Sequence, residues 1–104
     1  MATVNREGID LYNEGDFNEA LECFERARVL FPKHVGLQLN IVQALIGKMK
    51  SNVEDTDLRA RCLDSLETLS QKIDADDPQF KRYRKLKSMA RNVLAQSSGS
   101  LQTD

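Results

Sequence analysis

With 104 residues, 40% of them hydrophobic, 30% charged and only 6% aromatic, the chain holds the material of one domain and can bury a modest core without cross-links. Fifteen basic against sixteen acidic side chains leave a formal net charge of −1, which argues against a protein that coats polyanions. Five glycines, two prolines and no tryptophan fit a helical protein better than a strand-rich one.

Apolar residues recur at intervals of three and four, which predicts five helices joined by short turns. The first covers about 3–14, with Val4, Ile9, Leu11 and Tyr12 on its apolar side. Gly8 sits mid-helix, where glycine costs about 1 kcal/mol against alanine, so it is expected to permit a close approach of two backbones. Gly15 suits the left-handed turn after a helix, and Asp16 with Glu19 forms an Asp-x-x-Glu capping box for the next one. That second helix ends near Leu30, because Pro32 turns Phe31 away from helical geometry. Its expected buried stripe is Phe17, Ala20, Leu21, Phe24, Ala27, the stem of Arg28 and Leu30.

The third helix, about 34–50, carries Val35, Leu39, Val42, Leu45, Ile46 and Met49, and a polar loop over 51–56 follows it. In the fourth, about 57–73, Leu58, Cys62, Leu66, Leu69 and Ile73 share one stripe. Asp77 is placed to cap the fifth, with Pro78 in its first turn. This helix runs to about Gln96 with Phe80, Tyr83, Leu86, Ala90, Val93 and Leu94 inward. Residues 97–104 are poor in apolar side chains and are expected to be disordered.

Cys23 and Cys62 form no Cys-x-x-Cys pair, and Met1 to Glu7 lack the apolar core of a signal peptide. A reducing, cytoplasmic setting is therefore expected. No apolar run approaches the roughly 18 residues of a membrane span. One histidine, His34, and two thiols cannot supply four zinc ligands, and no cofactor is expected. Cys23 and His34 lack the orienting third group of a nucleophilic site, Gly-rich phosphate cradles are absent, and Asp76 and Asp77 are explained as helix-start residues. An enzyme is thus not expected.

Gly8, the run 15–21 (Gly-Asp-Phe-Asn-Glu-Ala-Leu), Phe24, Ala27 and Pro32 together resemble one tetratricopeptide repeat over residues 1–34. Val4 stands where the family has an aromatic residue. A degenerate second repeat over 35–78 keeps Ala44 and Leu45 and carries an insertion around 51–56, and the helix over 78–96 resembles the solvating cap of such an array. The resemblance implies an all-α, right-handed stack of about two repeats plus a capping helix, a domain over 1–96 that binds a protein or peptide. Residues 30–45 are also similar to a tetratricopeptide module that follows the receiver domain of some bacterial response regulators, which implies an output or adaptor role in two-component signalling.

In this family the first helices of the repeats line a concave groove. The resemblance places Asn5, Ile9, Tyr12 and Asn13 there from repeat one, and Leu39, Asn40 and Gln43 from repeat two. Ile9 and Leu39 are equally compatible with the core. Tyr12, with an apolar ring and a polar tip, is the better groove candidate. Chaperone-binding members hold a terminal carboxylate with lysines and asparagines, but Asn5 and Ile9 occupy the first two of those positions, so that clamp is not expected.

Charge is polarised along the chain: residues 1–78 hold 9 basic and 15 acidic side chains, and residues 79–104 hold 6 and 1. The cations of the last helix, Arg82 and Lys85 among them, could meet an acidic partner, but a solvated cap that balances the acidic repeat is the favoured explanation. With few stacking aromatics, nucleic acid is a weak rival. Self-association is a stronger one, since two repeats are fewer than the three that usually enclose a continuous core, and a homodimer would cover the open face.

Overall fold

The computed structural model describes the backbone of residues 2–52 and 54–102 and the side chains of residues 5–52 and 54–95. It contains α1 (Ala2–Asn13), α2 (Phe17–Leu30), α3 (Val35–Ser51), α4 (Thr56–Ser70) and α5 (Phe80–Gln102), and no strand among the described residues. The fold is an all-α helical repeat. Helices α1 and α2 pack as a hairpin, α3 and α4 as a second, and α5 lies against α3 and, less extensively, α4.

Gly15 ends α1 with φ at +87°, the left-handed geometry that glycine adopts without a Cβ clash. The Gly15 N–H donates to Tyr12 O and the Asp16 N–H to Leu11 O, at 3.0 and 2.9 Å, which is a Schellman motif. This motif undoes the expected capping box. Asp16, tied back to α1, has φ −87° and ψ 69° rather than extended backbone, and its side chain makes no cap hydrogen bond. Only its carbonyl starts α2, accepting from Ala20 N at 2.9 Å.

Within α2 the stripe Ala20, Leu21, Phe24 and Ala27 is buried and Phe17 half-buried, but Arg28 and Leu30 are exposed. The helix outlasts the surface it packs on, so Val29, Leu30 and Phe31 face solvent at 78, 72 and 40% exposure. Ala20 and Ala27 are buried as expected of small contact residues. Ala27→Leu should therefore overpack and lower stability by about 1–3 kcal/mol, read as a fall in the urea midpoint.

Helix α3 departs most from expectation. Its buried set includes Leu37, Ile41 and Ala44 beside the expected Leu39, Val42, Leu45, Ile46 and Met49, and Val35 is only half-buried. The helix is covered on nearly every side, because α1, α2, α4 and α5 all contact it. Gly47 fits here because a Cβ would come within 2.8 Å of the Phe17 ring. The helix begins one residue later than expected, at Val35, since His34 is its N-cap: His34 Nδ1 accepts from Leu37 N at 3.0 Å, which requires that nitrogen to be unprotonated.

The loop after α3 is shorter than expected, and Val53 lies outside the described residues. Asp55 caps α4 by accepting from the N–H groups of Asp57 and Leu58. Leu58, Cys62, Leu66, Leu69 and Ile73 are all buried, although α4 ends at Ser70 and Ile73 reaches the core from the following turn. Asp77 accepts from Gln79 N at 2.7 Å, but Pro78 and Gln79 form a tight turn and α5 starts only at Phe80, later than expected. Tyr83, Leu86, Ala90 and Val93 are buried; Phe80 and Leu94 are half-buried. Helix α5 runs on to Gln102, past the expected boundary at Gln96, because extending a formed helix adds one hydrogen bond per residue fixed. The side chains of residues 96–104 lie outside the described residues, and the expectation of a disordered tail falls on them. Val4, expected on the apolar side of α1, also has its side chain outside them.

Candidate partner-binding groove

A recess of about 240 Å³ opens where α1, α3 and α5 meet. Ile9, Tyr12 and Asn13 enter it from α1, Asn40 and Gln43 from α3, and Arg82 from α5, with Phe24 of α2 behind them. The Schellman turn holds α1 against α2, and there the Tyr12 ring tilts onto Phe17 with centroids 5.2 Å apart. Tyr12 is thereby a half-buried, preset aromatic rather than a free one.

One hydrogen-bond chain crosses the recess. Asn40 is buried, and its Nδ2 donates to Asn5 Oδ1 at 2.8 Å. Asn40 Oδ1 in turn accepts from Arg82 Nη2 at 2.6 Å, and the same nitrogen donates to Gln43 Oε1 at 2.8 Å. Three elements distant in sequence are tied by neutral amides and one guanidinium. Burial pushes the Arg82 guanidinium below its ordinary value, partly offset by Tyr12.

The residues expected at the groove thus divide. Ile9, Tyr12, Asn13, Asn40, Gln43 and Arg82 converge on it, and Asn5 supports it through Asn40. Leu39 does not line it: fully buried at 0% exposure, it is core, because α3 has no free face at that position. Lys85 is exposed on α5 and is not among the lining residues. The other α5 cations are similarly local, with Arg84 6.0 Å from the centroid of the Phe80 ring and Lys87 5.8 Å from that of Tyr83. Phe24 is a lining residue the sequence pattern assigned only to the core. A glycine opposite it in α1 was the available signal, since Gly8 lets the ring reach through to the recess side.

Among the described residues no group of three or more His, Cys, Asp and Glu could hold a metal ion. Cys23 and Cys62 are both buried and unpaired, and no described helix is long and apolar enough to cross a membrane.

Residues 3–34, which span α1, α2 and the turn into α3, match the tetratricopeptide repeat family. The chain therefore carries a tetratricopeptide repeat, a non-catalytic repeat that generally mediates protein–protein interaction. No curated protein and no solved structure matches the chain.

Proposed function

We propose that this chain binds a segment of another protein in the recess between α1, α3 and α5, with Tyr12, Asn40 and Gln43 as its contact residues. The observation that supports this reading is the convergence of Tyr12, Gln43 and Arg82, from three helices, on one open recess with both apolar and hydrogen-bonding walls. A half-buried tyrosine held by a neighbouring ring is the type of residue that dominates binding energy at interfaces. Tyr12→Ala should weaken capture of the bound protein by about thirtyfold, the equivalent of roughly 2 kcal/mol, with thermal unfolding used to check that the variant, which also loses the Tyr12–Phe17 contact, is folded. A Tyr12→Ala, Gln43→Ala double variant that keeps every partner would reject the groove.

Self-association is a second reading, supported by the contiguous exposed residues Val29, Leu30 and Phe31 at the end of α2. Sedimentation equilibrium of wild type against Leu30→Lys tests it. A concentration-dependent dimer lost in the variant is the supporting result. The resemblance of residues 30–45 supports an output or adaptor role in two-component signalling, and the two unpaired cysteines support a cytoplasmic setting.

A further inference from the structure

Resting on the groove as the binding site, we propose that its occupant presents one internal acidic side chain, glutamate above all, whose carboxylate seats on Arg82. The starting point is an imbalance. Arg82 is half-buried, yet it has no carboxylate within ion-pair distance among the described residues. Its hydrogen bonds both leave one nitrogen, Nη2, and both end on neutral amide oxygens, Asn40 Oδ1 and Gln43 Oε1. A guanidinium carries five N–H donors in a fixed fork, so Nη1 and Nε have donors to spare. A cation taken partly out of water and given only neutral partners is a poor way to tie α5 to α3, since an apolar side chain or an amide would do so without the desolvation cost. The charge is explained by a group that the chain does not itself supply.

The surroundings define that group. Among the described residues Arg82 is the only charged one lining the recess, the other polar ones being Tyr12, Asn13, Asn40 and Gln43. A single carboxylate matches it in charge and in fork geometry, whereas a phosphate, with close to two charges, calls for a second cation. Ile9, half-buried beside it with the buried Phe24 ring behind, offers apolar surface to the two methylenes of a glutamate. Glu7 and Asp10 on α1 and Glu14 in the turn after it are exposed and outnumber the exposed Arg6, which disfavours a run of acids. The preferred segment therefore has one acid with neutral or basic neighbours. Asn13 and Gln43 are placed to bond the backbone on either side of it.

The test is selection of a random peptide library, fused at both ends so that no free terminus is offered, on the full chain as wild type, Arg82→Lys, Arg82→Glu and Tyr12→Ala. Wild type should enrich peptides that share one Glu or Asp position. In a synthetic peptide blocked at both ends, Glu→Gln at that position should weaken binding about tenfold, the scale of one charge-assisted pair. Arg82→Glu should exchange the preference for Lys or Arg there, and Arg82→Lys should keep the acid with reduced affinity, which a merely structural Arg82 would not do. Thermal unfolding shows whether each variant is folded. Should Arg82→Glu unfold, the Glu→Gln change on the peptide still reads the same contact against wild-type protein. Peptides that depend on Tyr12 but share no acidic position, or that bind within twofold after Glu→Gln, would overturn the acidic occupant and leave the groove standing. Peptides with a free carboxyl terminus that outcompete the blocked ones without any acidic side chain would replace it with a chain end. No enrichment, or enrichment indifferent to Tyr12→Ala, would remove the groove and this inference together.

Discussion

Removing the Phe24 ring should cost about 3–5 kcal/mol, the largest loss expected of any single truncation here, because the residue is 1% exposed and fills the space between α1, α2 and the groove. Its counterpart reverses an ordinary rule. Alanine for glycine inside a helix usually stabilises by up to about 1 kcal/mol. At Gly8, however, a new Cβ would meet Phe24 Cδ1 at 2.7 Å and Cζ at 2.9 Å, and a fully packed ring has nowhere to go. Gly8→Ala should therefore lower stability by about 1–3 kcal/mol. Combining it with Phe24→Leu should recover part of that loss, since the smaller side chain makes room, and the non-additivity is what a double-mutant cycle reads. Urea midpoints at constant slope provide the measurement. A higher midpoint for Gly8→Ala alone would contradict the close approach.

Alkali should weaken the fold through one thiol. Cys62 is completely buried, and burial pushes its pKa from 9.0 up to about 11. Above pH 9 the unfolded chain releases this proton while the folded chain still holds it. The folded state thus binds more protons, and stability falls as pH rises. The contribution is fully present below pH 9 and is lost progressively up to about pH 11, a total on the order of 3 kcal/mol. Chemical denaturation of wild type and Cys62→Ala across this range should show the difference between them shrinking as pH rises. A constant difference would mean that the thiol ionises alike in both states.

The helices were legible where one face is apolar and the other polar. The α4 stripe from Leu58 to Ile73 is an example, since α4 packs on one side only and its pattern survives in the sequence. The Gly8 to Pro32 pattern likewise located the α1–α2 hairpin, with Gly15 at positive φ. Helix α3 defeated periodicity because burial on nearly all sides erases the contrast that reveals a stripe; Leu39, offered to the groove by the family resemblance, is core. Local capping also misled. Asp16 has the right residue type for a cap, but in a three-residue connection its N–H is tied back to Leu11 O, which takes its backbone out of the extended geometry of a cap, whereas His34, a rare cap, does the work at α3. Of the groove, Tyr12, Asn40 and Gln43 followed from register within a repeat. That Arg82 rather than Lys85 joins them depends on how α5 rotates against α3, a long-range fact that no short spacing encodes.

The central position of α3 bears on the order in which the chain can become stable. While the protein is being synthesised, the first 51 residues can form both α1 and α2 and lay α3 against them, but the opposite side of α3 stays wet until Leu58 to Leu69 and then Tyr83 to Val93 have emerged. A nascent chain of which only the residues up to about 75 have emerged exposes part of the most apolar of the described helices and is the stage at which chaperone capture should peak. Once α5 docks, the amide protons in the middle of α3 should be the last to exchange with deuterium, because their exchange requires α3 itself to unwind among the four helices that contact it.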